Sequence, residues 1–173
     1  MAALETEKSA KKAAGAGIAS GKVAVKTESK AENGKIAILL IRGMTDMTQP
    51  MLKTLELLHL SRKNQVVVIA DNPVSRGMAN KVKDFVTWGE INAETFKELV
   101  QKRGEEYLGR LQDSKGTYDY NVVKIEGKVY KPYFRLNPPR KGFGRKGIKI
   151  AFSVGGALGY RGAKINDLLM RMI

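Results

Sequence analysis

Two short apolar runs constrain the fold of this chain more than any other feature. Residues 35–41 read KIAILLI and are followed by Arg42 and Gly43, and residues 65–70 read QVVVIA. A continuous apolar run of this length is typical of a strand that is buried on both faces or nearly so. The sequence therefore predicts a small sheet whose first strand begins at residue 35.

An amphipathic helix is predicted after the first run. Thr48 or Gln49 is suited to the N-cap, and Pro50 is suited to the first turn because the amide that it lacks would have no helical partner there. The i, i+4, i+7 spacing places three apolar residues on one face of this helix, and these are Met51, Leu55 and Leu58.

A second helix is predicted after the second run, which ends at the turn-forming residues 71–73, DNP. Ser75 is the predicted N-cap, and the helix is expected to end near Val86. The same spacing gives this helix an apolar face that consists of Met78, Val82 and Phe85.

A third strand is predicted at residues 87–91, TWGEI, because a βαβα arrangement needs another strand to complete its sheet. Asn92 is then suited to cap a third helix, and Gly104 is suited to end it as a glycine C-cap. The residues of this helix that are expected to face the core are Phe96, Leu99 and Val100.

The rest of the chain is less regular. Alternation in residues 122–130, VVKIEGKVY, predicts a hairpin with its turn at Glu126 and Gly127. Residues 151–154 are predicted to form a brief strand. A short amphipathic helix is expected at the C-terminus, with an apolar face formed by Ile165, Leu168, Leu169 and Met172.

The predicted organisation has three parts. Residues 1–34 form a flexible arm, residues 35–104 form an α+β core that binds RNA, and residues 105–173 form an extension with a hairpin, a basic loop and a terminal helix. The arm is built from Ala, Lys, Glu, Gly, Ser and Thr with few apolar residues. Burial therefore cannot offset the entropy that ordering the arm would cost.

The basic run at residues 131–150, KPYFRLNPPRKGFGRKGIKI, carries seven Lys or Arg side chains and no carboxylate. Its Pro and Gly residues exclude a regular helix or a central strand. The whole chain has a net charge of +14 and a pI near 10.0. Charge of one sign indicates a polyanionic partner, nucleic acid above all, because Lys and Arg displace its condensed counterions. The predicted contacts here are Arg135, Arg140, Lys141, Arg145, Lys146 and Lys149.

Two aromatic residues of the basic run have different expected roles. Phe134 is predicted to anchor the run in the core. Phe143 is predicted to be exposed, where its ring is available for stacking on an unpaired base.

Further RNA contacts are predicted in and beside the turns of the core, because loops placed by a rigid sheet are common binding positions. Arg42 follows the first strand, and Arg62 and Lys63 lie between the first helix and the second strand. An ordinary surface turn is an equal alternative for both places. Free amides near the start of a helix favour anions, and the candidates on the second helix are Arg76, Asn80 and Lys81.

The residue inventory predicts no catalytic residue, no metal site and no cofactor. The chain has no Cys and a single His, His59, so neither a thiolate nucleophile nor a cluster of His and Cys metal ligands is available. The glycines of the basic run lack the strand and helix that flank a nucleotide-binding loop. No pair of carboxylates has a partner that would indicate acid–base catalysis.

A membrane surface is the weaker alternative for the positive charge. The sequence has no apolar run long enough to span a bilayer and no basic amphipathic helix. Its first residues lack the hydrophobic segment of a secretory signal. A cytoplasmic protein is therefore expected.

Seven short segments, in order along residues 35–173, resemble the large-subunit ribosomal protein family that is numbered thirty in bacteria and seven in eukaryotes. The archaeal and eukaryotic form, with its long C-terminal extension, is the closer match. The segments are IRG at 41–43, TLELL at 54–58, RGM at 76–78, KVKDFV at 81–86, WG at 88–89, FRLNPPR at 134–140 and INDLL at 165–169.

The resemblance implies an α+β fold: a small βαβαβ sheet with two helices packed on one face, similar to a ferredoxin-like arrangement, plus an extra helix and an irregular basic extension. It implies a structural, non-enzymatic role in the large ribosomal subunit, with rRNA and neighbouring ribosomal proteins as partners and no small-molecule substrate. A free-standing RNA-binding factor is the alternative, and a basic RNA-acting enzyme is a third. The matching cations that the resemblance places near RNA are Arg42, Arg76, Arg135, Arg140 and Arg161.

Overall fold

The computed structural model describes residues 34–120, 122–125 and 127–173, and all of these residues belong to one compact unit. The predicted arm lies outside the described residues except for Gly34. No helix in the described part of the chain is long and apolar enough to cross a membrane. The elements, in chain order, are β1 (Lys35–Leu40), α1 (Gln49–Leu57), β2 (Gln65–Ala70), α2 (Pro73–Lys81), β3 (Val86–Ile91), α3 (Ala93–Arg103), β4 (Val123–Ile125), β5 (Lys128–Tyr130), β6 (Phe134–Arg135), β7 (Gly159–Tyr160) and α4 (Ile165–Met170).

The main sheet has the order β6-β2-β1-β3-β7, with β1 at its centre. β1 pairs antiparallel with both neighbours, and Leu39 lies between Val66 of β2 and Thr87 of β3. β2 and β3 therefore run parallel to each other with β1 inserted between them, which is the split βαβ arrangement of ferredoxin-like folds. The predicted α+β fold and its βαβαβ core are confirmed.

Both faces of β1 are buried, as the apolar run predicts. Ile36, Ile38 and Leu40 point into a core that also contains Leu55 of α1 and Ala79 of α2. The alternate residues of the strand point to the other side, because successive side chains of a strand face opposite ways. The core on that side contains Ala37, Leu39 and Ile41 of the β1 segment, Leu99 of α3, and Ile165, Leu168 and Leu169 of α4.

The apolar face predicted for α2 is correct, but its boundaries are not. The N-cap is Asn72 instead of Ser75, because Pro73 already supplies the first helical turn, and Ser75 is buried inside the helix. The helix also ends earlier than predicted, at Lys81. Val82 and Phe85 follow the last turn and still pack into the core on the α1 and α2 side of the sheet.

The segment after residue 104 supplies parts of the main sheet. β6 pairs with β2 and β7 pairs parallel with β3, so the two edge strands both come from this segment. The predicted hairpin is confirmed as β4 and β5. The glycine at the end of α3 acts differently from the prediction, since Gly104 has φ −68° and not the left-handed conformation of a glycine C-cap.

The brief strand predicted at residues 151–154 is wrong, because Phe152–Val154 form a 3-10 turn. Gly155, with φ 94°, reverses the chain after this turn, and the Ala157 amide then donates to the carbonyl of Ile150 at 2.9 Å. A Cβ at Gly156 would collide with that same carbonyl. The chain therefore folds back on itself here, where a strand would need it to continue.

Candidate nucleic-acid interface

One end of the main sheet gathers most of the predicted RNA contacts. β1 finishes there and β2 and β3 begin there, because both neighbours run antiparallel to β1. Arg135 reaches the same end, since it pairs with Gln65 at the start of β2. We call this the basic end. Its predicted cations are Arg42, Arg62, Lys63 and Arg135, together with those of the loop at residues 137–150.

The loop at residues 137–150 is attached to the basic end by main-chain hydrogen bonds. The amide of Leu136 donates to Asn64 at 2.9 Å, and the amide of Asn137 donates to Met172 at 3.1 Å. This loop is called the basic loop from here on. Its five predicted cations are exposed, and none forms an ion pair with a described residue: Arg140, Lys141, Arg145, Lys146 and Lys149.

Arg171, which directly follows α4, holds the first half of the basic loop in place. Its guanidinium donates to the carbonyls of Arg140 at 3.3 Å and Gly142 at 3.2 Å, and it forms an ion pair with Asp167 at 3.3 Å. The carbonyl of Arg171 also accepts the amide of Arg140 at 3.2 Å. Sequence reasoning missed this residue. Its place at i+4 from Asp167 predicts an ion pair at most, because a contact with residues about 30 positions away needs the tertiary fold.

The turn inside the basic loop has a left-handed backbone. Lys141 has φ 67° and Gly142 has φ 75°, and the Gly142 amide donates to the carbonyl of Pro139 at 3.0 Å. Lys141 adopts a conformation that is uncommon outside glycine. The buried Pro139 and the contacts of Arg171 hold the backbone of this turn, and the Lys141 side chain is exposed to solvent.

Phe134 and Phe143 both contact the core. Phe134 is buried on the side of the sheet that carries α3 and α4, as predicted. Phe143 was predicted to be exposed, but its ring is partly buried against the same core. The reason is that the Arg171 contacts draw the loop backbone toward the end of α4, which brings residue 143 over apolar side chains. Phe143 therefore anchors the loop.

The turns of the core contribute cations of two kinds. Arg62 and Lys63 are exposed without an ion pair among the described residues, and the Arg62 amide donates to the Gln65 side chain at 2.9 Å. Arg42 is half-buried. Its guanidinium lies over the Phe85 ring at 4.8 Å and donates to the carbonyl of Asp84 at 3.1 Å, so the protein itself fixes this charge.

The cations of β6 and α2 differ in how far acidic groups balance them. Arg135 lies 3.7 Å from Glu105, and its guanidinium donates to the Tyr133 hydroxyl, which raises the pKa of Arg135. Asn80 and Lys81 are exposed at the end of α2 that approaches β3 at the basic end. Lys81 forms no ion pair with any described residue.

Arg76 lies at the opposite end of the sheet. Two of its nitrogens donate to the two carboxylate oxygens of Asp71, each at 2.6 Å, and Glu90 is 3.8 Å away. The hydrogen bond from Arg76 lowers the pKa of Asp71. The Tyr160 hydroxyl donates a hydrogen bond to Glu90 at 2.7 Å, which raises the pKa of Tyr160. Asp71 and Glu90 balance the charge of Arg76. Because Arg76 also lies at the opposite end of the sheet, it is separate from the basic end.

Arg161 is buried, with 7% of its surface exposed, whereas the other predicted cations are exposed or half-buried. Its guanidinium lies 4.4 Å from the centre of the Phe152 ring and donates to the Ala157 carbonyl at 3.1 Å. Burial lowers its pKa. Arg161 therefore braces the segment between the basic loop and β7, and its contact with RNA stays a prediction.

The described residues do not gather a cluster of metal ligands. No group of three His, Asp or Glu side chains among them is placed to hold a metal ion. His59 lies beyond the end of α1, with φ 56°, and lines a cleft of about 640 Å³ together with Leu52 and Tyr133. The lining also includes Lys53 and Glu56, which form an ion pair with each other at 3.1 Å.

Known proteins are similar to this chain over most of its length. Residues 36–86 match the family model described as Ribosomal protein L30p/L7e. The chain is similar to the large ribosomal subunit protein uL30 of Nanoarchaeum equitans, with 43% identity over 155 residues that cover 79% of this chain and 97% of that protein. It is also similar to the uL30 proteins of Methanococcus maripaludis (strain C5), at 42% identity over 79% of this chain and 98% of that protein, and of Methanopyrus kandleri, at 41% over 77% and 100%.

Proposed function

The chain belongs to the L30p/L7e family of ribosomal proteins, and we propose that it holds folded rRNA in the large subunit by means of the basic end of its sheet. It is a structural constituent of the large ribosomal subunit, where rRNA and other ribosomal proteins are its partners. Within the basic end, the basic loop makes the main contact with the RNA.

One observation carries this proposal: five exposed cations of the basic loop lie on a backbone that the core fixes in place. A flexible basic tail would lose entropy when RNA orders it, whereas a fixed loop has already lost that entropy during folding. Arg62 and Lys63 at the same end extend the positive surface beyond the loop. Contacts with phosphates from such a surface recognise the shape of folded RNA and are not specific for its sequence.

The salt dependence of binding tests the proposal. The variant with Arg140, Lys141, Arg145 and Lys146 all replaced by Ala should bind large-subunit rRNA more weakly. If four phosphate contacts are lost, the slope of log K against log salt concentration should become shallower by about 3–4 units. Filter binding at several salt concentrations measures this slope.

A control variant removes the same amount of charge outside the basic end. Lys35, Lys97, Lys124 and Lys128 are exposed, and none of them belongs to the basic loop or to the turns beside it. Replacing these four by Ala should change the slope by less than about 1 unit if they touch no phosphate. Equal slopes for the two variants would show that net charge, and not the basic loop, determines the affinity.

A further inference from the structure

A second exposed surface is formed by the chain segment that connects α3 to β4, and its composition differs from that of the basic end. Residues 107–120 form a hairpin in which the amide of Asp113 donates to Tyr118 and that of Tyr120 donates to Leu111, both at 3.0 Å. We call this segment the apolar hairpin. Gly116 closes its tip, with φ 63° and an amide that donates to the carbonyl of Asp113 at 2.9 Å. The hairpin therefore has a defined shape of its own.

Large apolar side chains of this hairpin are exposed to solvent. Leu108 is 93% exposed and Tyr118 is 65% exposed, and Leu111 and Tyr120 are also exposed. The bridge between residues 112 and 119 puts these two on one face of the hairpin. Leu111, Tyr118 and Tyr120 lie together on the other face, because side chains alternate along a strand. The two tyrosine rings contact edge to face at 5.7 Å between centroids. Exposed apolar clusters of this kind mark interaction surfaces.

The apolar hairpin has no net positive charge, because Arg110 and Lys115 are balanced by Asp113 and Asp119. Residues 105–130 carry five carboxylates and four Lys or Arg side chains, directly before a run of 20 residues with seven cations and no carboxylate. Asp113 and Asp119 form no ion pair with any described residue. A surface without net positive charge gains little by displacing the counterions of RNA, and the leucines offer no hydrogen bond to a base. Leucine and tyrosine beside a free carboxylate suit a basic protein surface.

We propose that the apolar hairpin docks onto another protein of the large subunit, which presents an apolar depression flanked by Lys or Arg. This proposal rests on the proposed function, since it needs the chain to be in the subunit. Leu108 and the face formed by Leu111, Tyr118 and Tyr120 fill the depression. Asp113, which alternation places on the same face as Leu111, faces a cation at its rim. The same subunit protein then binds RNA at one surface and protein at another.

Photocrosslinking in assembled subunits tests this proposal. One variant carries Tyr118→p-benzoylphenylalanine in the apolar hairpin. The other carries Ile148→p-benzoylphenylalanine in the basic loop, where Ile148 is exposed and apolar, so that the cations of the loop are kept. Large subunits are purified from cells that produce each variant, irradiated, and analysed for crosslinks to protein and to rRNA.

The proposal expects a protein crosslink from position 118, within a peptide that contains apolar residues and Lys or Arg, and an rRNA crosslink from position 148. Leu108→Ser in the crosslinking variant should reduce the yield at position 118 several-fold. The matched control is Leu57→Ser, which alters an exposed leucine of α1 and should leave the yield unchanged.

Three outcomes at position 118 would overturn the proposal: a crosslink to rRNA, a crosslink to a second copy of this chain, or no crosslink while position 148 reacts with rRNA. Absence of the chain from the large subunit would overturn the proposed function and this proposal together. A crosslink at 148 to protein alone would overturn the proposed function while leaving the docking of the hairpin intact.

Discussion

The basic loop and the apolar hairpin are both exposed and irregular, yet they are stabilised in opposite ways. The loop is tied to the core by Arg171 and by the partly buried ring of Phe143. The hairpin is held by its own cross-strand hydrogen bonds, and its largest apolar side chains point into solvent. Their charges also differ, since the run that contains the loop has cations only and the segment that contains the hairpin is nearly balanced.

With the proposed roles, this difference separates two kinds of contact within one small basic protein. Cations that bind a rigid polyanion lose less conformational entropy on binding when folding has already fixed their backbone. An apolar surface for a protein partner needs only local order, because the partner supplies the rest of the burial. Neighbouring segments of one chain can thus have different partners. This requires that the core fixes the backbone of one segment, while the other is held by its own hydrogen bonds.

The first prediction compares the apolar anchors of the two segments. Phe143→Ala should lower the free energy of unfolding by about 2–3 kcal/mol, less than for a fully buried ring because Phe143 is only partly buried. Leu108→Ala should change it by less than about 0.5 kcal/mol, since that side chain is almost fully exposed. Urea denaturation of both variants measures the values. Equal losses would mean that the hairpin is packed as firmly as the loop.

The second prediction concerns the buried cation next to the basic loop. Arg161→Met should destabilise the free protein by about 1–2 kcal/mol, because it removes the contact with the Phe152 ring and the bond to the Ala157 carbonyl. The slope of rRNA affinity against salt should stay that of the unaltered chain. A slope shallower by about 1 unit would instead place Arg161 on a phosphate.

The third prediction tests whether the basic loop works because it is held. Arg171→Ala removes the hydrogen bonds to the Arg140 and Gly142 carbonyls and should cost about 1–2 kcal/mol of stability. It should also weaken rRNA binding, since the loop then has to be ordered during binding. Arg171→Lys keeps the charge but lacks the planar guanidinium that reaches both carbonyls. The rRNA affinity of this variant should therefore be lower as well. Full affinity in Arg171→Lys would show that charge alone matters at this position.

The fourth prediction, with the smallest effect, concerns the ion pair at the junction of the two regions. Lys131 donates to Glu105 at 2.6 Å and lowers the pKa of that carboxyl. The stabilisation is therefore present above the unfolded pKa of about 4.3 and is lost as the pH falls through the lower folded value. Glu105→Gln should flatten this part of the curve of unfolding free energy against pH. In a Lys131→Met background the same substitution should have a smaller effect, because only Arg135, 3.7 Å away, still faces this carboxyl.

Much of the α+β core could be predicted because its information is local. The unbroken apolar run before Arg42 predicts a strand covered on both faces, and the spacing of Leu55 and Leu58 predicts the inner face of α1, both of which the structure confirms. The helix ends were less accurate. Ser75 is a good N-cap by type, but Asn72 with Pro73 starts the helix one turn earlier, and neighbouring candidates of similar strength cannot be ranked by residue type alone.

The basic loop was predicted as a region but not residue by residue. Its exposed cations follow from composition, whereas Arg161 resembles them in sequence and is buried. Phe143 was misplaced for the same reason, since an aromatic residue between cations suits either stacking or anchoring. Only the approach of α4 decides between the two, and that approach depends on residues that are distant in sequence.

The sequence by itself determined the elements of the core, the positive charge of the run at residues 131–150 and the family resemblance, because periodicity, charge and motifs are properties of short segments. The tertiary structure alone decided which cations share the basic end, which one is buried and which arginine holds the loop. These outcomes depend on how antiparallel pairing of β1 with both neighbours brings distant chain segments to one end of a sheet. Long-range packing of this kind leaves no periodic signal in the residues that take part in it.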